Sequence, residues 1–223
     1  MPYVYLVRHA QPDFAGDYDS ITELGRRQSA WLGEHFRQRG LHFERTLCGS
    51  LRRQADTLTG IAAALGSSVA HQVDPRLNEY DATALIRNFA TGNEQALRAA
   101  GDRRAYFAAV RKALLSWASA ETSDGRSESW SEFGARARAA LADACRGLGR
   151  DSQVLVVSSG GIIGRLVADT LGAGADSAIQ LNLQTRNTGI TEIAVGRSAS
   201  RVVSFNAVPH LERADRSGAI THS

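Results

Sequence analysis

The chain has 223 residues, 43% hydrophobic and 22% charged, ordinary globular values that exclude wholesale disorder and leave room for a full core. No apolar run reaches the roughly 18 residues of a membrane span. The net charge of +3 is carried almost wholly by arginine, Lys112 being the only lysine. The arginines are scattered, unlike those of a nucleic-acid surface, and arginine suits a pocket for phosphate esters because a guanidinium forks onto phosphate oxygens.

The N-terminus, MPYVYLVRHAQ, lacks the basic, apolar and small-residue regions of a signal peptide, which predicts a cytoplasmic protein. Cys48 and Cys145 stand far apart, so they form neither a disulfide framework nor a zinc set and are expected to be buried thiols.

In chain order, Tyr3 to Val7 is an apolar, β-branched and aromatic strand, and the polar residues 9 to 21 are a loop. Thr22 is an N-cap for a helix reaching Arg39, stopped by Gly40. Phe43 to Cys48 is the second strand, Leu51 to Leu65 a helix ended by Gly66, and Val69 to Val73 a short strand. Residues 81 to 146 read as an inserted helical subdomain with breaks near Gly92, Gly101 and Thr122 to Ser129. Val154 to Ser158 is a buried strand, Gly160 to Leu171 a helix, and Gly189 to Val195 and Val202 to Asn206 are closing strands. A polar tail from Glu212 is expected to fray. The alternation predicts one α/β domain over 1–223: three layers, with a mostly parallel central sheet flanked by helices.

Three strands end where chemically capable residues begin, at Arg8-His9, Arg52-Arg53 and Ser158-Ser159-Gly160. Ligands of open α/β sheets bind at the carboxyl ends of strands, so these segments are expected to converge. A positive neighbour disfavours the imidazolium, which leaves His9 neutral and able to attack.

The motif LVRHAQ resembles the Leu-x-Arg-His-Gly signature of the histidine phosphatase superfamily, with Ala10 in place of the glycine. ITELGRRQ, SLRRQADT, RLNEYD, VLVVSSGG and NTGITEI resemble further segments of that family, in the right order from residue 3 to about residue 195. The resemblance implies a phosphomonoester hydrolase, with phosphoglycerate mutase-type transfer as the alternative. His9 would be the nucleophile and become a phosphohistidine. Arg8 and Arg53 would grip the phosphoryl oxygens. Glu79 would protonate the leaving alkoxide and then activate water, with a pKa raised by burial near Tyr80. The amide of Gly160, at a helix N-terminus, would bind anion, and Gln11 and Thr22 would line the entrance. Neither metal nor cofactor is expected, because arginines supply the charge. A small phosphorylated substrate is the expected partner, with no nucleic acid or membrane, and a homodimer only by fold-level analogy.

The chain departs from the family at Ser159, where members carry a second histidine that donates to the phosphoryl group. Serine donates one neutral hydrogen bond, and losing a charge-assisted one slows turnover by roughly 10 to 100 fold. A Ser159→His variant is therefore expected to be faster. His210 is a candidate substitute for the missing ring, though a structural role suits it better. His35, His42, His71 and His222 are expected on the surface. Arg87, Arg98, Arg103 and Arg104 are candidates for contacting an anionic substrate, against a solvated helix face.

A non-catalytic phosphate-ester binding protein on the same fold is the main rival, motivated by Ser159 and opposed by the retention of His9 and Glu79. A dinucleotide site lacks the full Gly-x-Gly-x-x-Gly pattern. A serine hydrolase lacks the Gly-x-Ser-x-Gly elbow, because Val156 and Val157 precede the serines.

Overall fold

The structure, a computed structural model, describes residues 1–89, 101–120, 128–196 and 199–222, and of Arg103 the backbone only. One six-stranded sheet runs through it in the order β3-β2-β4-β1-β5-β6. The strands are β1 (Tyr3–Arg8), β2 (Arg45–Cys48), β3 (His71–Val73), β4 (Gln153–Ser158), β5 (Ile190–Ala194) and β6 (Arg201–Ala207). The first four are mutually parallel; β5 runs antiparallel to β1, and β6 antiparallel to β5.

The central strands are apolar throughout because both faces are covered. Val4, Leu6, Val154 and Val156 point into one core, and Tyr5, Val7, Leu155 and Val157 into the other. The helices α1 (Glu23–Gln38) and α2 (Arg52–Leu65) close the second core with Leu32, Phe36, Leu58 and Ile61. The first core is closed by α3 (Ala82–Phe89), α4 (Arg103–Ser119), α5 (Trp130–Cys145), α6 (Gly160–Leu171) and α7 (Ala175–Gln184). Helices α3, α4 and α5 are the described part of the expected helical insertion. Their Ile86, Val110, Trp117 and Phe133 pack in the same cluster as Val4 and Val156, so they share the sheet's core. The expected breaks at Gly92 and over 122–127 lie outside the described residues.

Local signals explain the boundaries. Thr22 caps α1 by accepting the Gly25 amide at 3.0 Å. Ser129 and Glu132 form a reciprocal capping box at the start of α5. Helix α7 falls in a stretch to which the sequence assigned no element; its buried face is only Ala178, Ile179 and Asn182.

The expectation of a frayed tail is overturned. Gln28 Nε2 donates to the Ala219 carbonyl at 2.8 Å and to Thr221 Oγ1 at 2.9 Å, and the Asn187 amide donates to the Thr221 carbonyl at 3.0 Å. Ala219 is buried against Leu211 and Val208. The tail docks because it satisfies Gln28, a fully buried polar side chain of α1.

His35, expected on the surface, is half-buried. Its Nε2 is buried, and its ring lies 6.2 Å from that of His210. Burial lowers the pKa of both rings, and the charge of Arg216, which bonds the His210 carbonyl from the docked tail, adds to it.

Candidate active site

Because β1, β2 and β4 are parallel, their carboxyl ends meet along one edge of the sheet. A cavity of about 700 Å³ opens there, and Arg8, His9, Arg53 and Glu79 all line it.

His9 follows the last residue of β1 and is 1% exposed. Its amide donates to the Ser158 carbonyl at 2.8 Å, and its carbonyl accepts from Asn187 Nδ2 at 3.1 Å. The ring nitrogen Nδ1 lies 2.9 Å from the Ala10 carbonyl. A carbonyl only accepts, so Nδ1 carries the proton and Nε2 keeps its lone pair. Burial, then the charges of Arg53 and Arg8, hold the imidazole well below the usual histidine pKa. His9 is therefore a neutral base with one nucleophilic nitrogen.

The guanidinium of Arg8 donates to the Thr185 carbonyl at the end of α7. Arg53, in the first turn of α2, donates through Nη1 to Asp19 Oδ1 at 2.7 Å and lies over the Tyr18 ring at 5.1 Å. Asp19 also accepts the Arg52 amide at 3.0 Å, so the loop carboxylate caps α2 and orients Arg53 together. The Nε of Arg53 is buried without a protein partner among the described residues, a donor available to an anion.

Glu79 follows a single 3-10 turn, Pro75–Leu77. Arg136 Nη1 holds that turn by donating to the carbonyls of Arg76 and Asn78, each at 2.7 Å. The Glu79 carboxylate accepts the amides of Gly161 at 2.9 Å and Tyr80 at 3.2 Å. Burial raises its pKa, outweighing the Gly161 amide and the charges of Arg53 and Arg8. The hydroxyl of Tyr80 accepts from Asn182 Nδ2 at 3.0 Å.

Four expected site residues stand elsewhere. Ser159 is fully buried beneath the cavity, and its Oγ accepts from Gln54 Nε2 at 2.8 Å. Gly160 is wedged against α7, where a Cβ would sit 2.5 Å from Asn182 Oδ1. The acceptor at the N-terminus of α6 is the carboxyl of Glu79, which takes the Gly161 amide hydrogen bond. Gln11 and Thr22 bond each other at 2.7 Å and do not line the cavity; they are spent on joining the loop to the start of α1.

His210 is 2% exposed and also outside the cavity. Its Nε2 lies 2.8 Å from Thr188 Oγ1. Arg87 and Arg104 are exposed and outside the lining; Arg98 and the Arg103 side chain lie outside the described residues. Cys48 is buried and Cys145 half-buried, and burial pushes both thiols up to about 11. Among the described residues no group of three or more His, Cys, Asp or Glu could hold a metal ion, and no helix is long and apolar enough to cross a membrane.

Sequence reasoning passed over Asp19, Tyr18, Gln54 and Asn182. Asp19 sits in a loop rich in aspartate, and Gln54 reads as an ordinary helical position, so neither carried a signal.

The model of the histidine phosphatase superfamily, branch 1, matches residues 4–208. The chain belongs to this superfamily. A relative named as a probable phosphoglycerate mutase GpmB, from Erwinia tasmaniensis, is 36% identical over 204 residues, covering 86% of this chain and 85% of its own. Its namesake from Proteus mirabilis is 33% identical over the same shares. A mycobacterial glucosyl-3-phosphoglycerate phosphatase superposes with a TM-score of 0.65 at 24% identity, covering 92% of this chain and 98% of that one. A phosphoserine phosphatase from Entamoeba histolytica, solved with phosphoserine, superposes with a TM-score of 0.68 at 19% identity, covering 95% and 100%. These two structures share the fold of this histidine phosphatase superfamily member.

Proposed function

We propose that this chain is a phosphomonoester hydrolase in which Nε2 of His9 takes the phosphoryl group. The observation that carries the proposal is the meeting of a neutral, buried His9 with two guanidinium groups and a carboxyl of raised pKa in one cavity. Nε2 attacks phosphorus, the bond from phosphorus to the leaving oxygen breaks, and Glu79 gives its proton to the departing alkoxide. Arg8 and Arg53 stabilise the non-bridging oxygens as charge builds on them. Glu79, now a carboxylate, takes a proton from water. The resulting hydroxide attacks phosphorus, the P–N bond breaks, and inorganic phosphate leaves with His9 restored.

Hydrolysis is favoured over transfer because the rim of the cavity, at Ala15, Gly16, Asp17, Asp81 and Thr83, is exposed, so water reaches the phosphoenzyme. The similarity to proteins named as phosphoglycerate mutases makes transfer between hydroxyls the second reading. Phosphoglycerate, phosphoserine, glucosyl-3-phosphoglycerate and an aryl phosphate form the test panel. Release of inorganic phosphate by the wild-type chain and none by His9→Ala is expected. Interconversion of 2- and 3-phosphoglycerate without net release would establish transfer instead. Silence on the whole panel would establish the binding-protein alternative.

A further inference from the structure

Gln54 follows Arg53 in α2, is fully buried, and does not line the cavity. Its Nε2 donates to Ser159 Oγ at 2.8 Å, across 105 residues of sequence, and reaches the Leu77 carbonyl at 3.4 Å. That carbonyl can only accept, so the NH₂ side of the amide faces Ser159 and Leu77. The Ser158 hydroxyl donates to the same Leu77 carbonyl at 2.7 Å. Among the described residues the amide oxygen of Gln54 is buried without a partner. It fills the space beside Gly49, where a Cβ would lie 2.0 Å from it. A buried acceptor left unsatisfied costs free energy, so the orientation is kept for what the other end of the amide does.

The three segments joined at this point each carry part of the site. Helix α2 carries Arg53, the 3-10 turn ending at Leu77 leads to Glu79, and α6, capped by Ser159, supplies the Gly161 amide that binds Glu79. We propose that Gln54 is a positioning residue that holds Arg53 and Glu79 in register through Ser159. The proposal rests on the phosphoryl-transfer function argued above. It gives Ser159 the task of an anchor for Gln54 in place of direct contact with the phosphoryl group.

The experiment is a double-mutant cycle with Gln54→Met, which keeps volume and removes the donor, and Ser159→Ala, which removes the acceptor. On an alkyl phosphate each single change is expected to lower kcat by about tenfold, with KM moving less than threefold. The double variant is expected to be no slower than the slower single, since both remove one contact. The alkaline limb of the pH profile shifts in all three, because the surroundings of Glu79 change. Calorimetry with inorganic phosphate tests the same contact without turnover, with affinity expected to fall about fivefold in each single variant and no further in the double. Losses that multiply in the double variant would overturn the proposal. So would a lower melting temperature with unchanged kcat, pH profile and phosphate affinity. A wild-type chain that turns over no ester would sink the hydrolase function by itself, and the phosphate affinities would still decide the role of Gln54.

Discussion

The backbone amide of Gly161 donates to Glu79 Oε2 at 2.9 Å, so the N-terminus of α6 holds the candidate acid. A Cβ on Gly161 would sit 2.2 Å from Glu79 Oε1 and 2.6 Å from the Tyr80 ring. Gly161→Ala must therefore displace the carboxyl. For an alkyl phosphate, kcat/KM is expected to fall by about 10 to 100 fold, less than the roughly 100 to 10,000 fold of a general acid lost outright, because the carboxyl is displaced and not removed. For 4-nitrophenyl phosphate, whose leaving group needs no proton, the loss should be only a few fold. Steady-state rates on the two esters check the difference.

The same carboxyl sets a pH dependence. The first step needs Glu79 protonated and His9 neutral. Burial raises the pKa of Glu79, while burial, Arg53 and Arg8 lower that of His9. Turnover of an alkyl phosphate is thus expected to fall as pH rises through the raised Glu79 pKa, and Glu79→Gln is expected to remove that limb along with most activity. Stability moves the other way in the variant. A carboxyl with a folded pKa above its unfolded one contributes stability below the unfolded value, and that contribution is lost as pH rises through the folded value. Glu79→Gln should then be more stable than wild type at neutral pH in urea unfolding.

His210 gives the opposite sign. Burial first, then His35 and Arg216, push its pKa down to about 3 from 6.5. Its contribution to stability is full above pH 6.5 and drains as pH falls toward 3. At most it is worth on the order of 5 kcal/mol by the usual conversion. Urea midpoints of wild type and His210→Asn, followed from pH 7 to pH 4, should converge. Parallel curves would remove His210 from the account of acid unfolding.

For Ser159→His the structure supports a prediction opposite to the one drawn from the sequence. With Gln54 Nε2 2.8 Å from Ser159 Oγ in a fully buried site, an imidazole has no room unless Gln54 is shortened. Ser159→His alone is expected to be slower than wild type and less stable by about 1–3 kcal/mol from overpacking. Gln54→Ala with Ser159→His is expected to recover the thermal midpoint by relieving the overpacking, while the rate stays below wild type because the Gln54 contact is lost. Rates and thermal midpoints of the single and double variants test this.

The contrast shows what was legible. Arg8, His9 and Arg53 could be singled out because each follows or begins an element whose apolar pattern is plain, and parallel strands carry their ends to one edge; Glu79 was singled out only through the resemblance of RLNEYD to a family segment. Helix α6 was readable to its limits because a buried strand ends in two serines and a glycine pair. Helix α7 was not, since Gly172 and Gly174 precede it and its buried face includes Asn182. The contacts of Gln54 with Ser159, Asp19 with Arg53, and Gln28 with Ala219 span 105, 34 and 191 residues. No local periodicity encodes such pairs. For that reason the tail looked free, and the buried contacts of Ser159 and Gly160 were not foreseen.

The central claim is tested most directly by trapping the phosphoenzyme. Wild-type chain mixed with 4-nitrophenyl phosphate, quenched within a turnover and digested under alkaline conditions that preserve phosphohistidine, should carry one phosphoryl group on the peptide containing His9, and His9→Ala should carry none. A phosphoryl group on any other residue, or undiminished phosphate release by His9→Ala, would contradict the account.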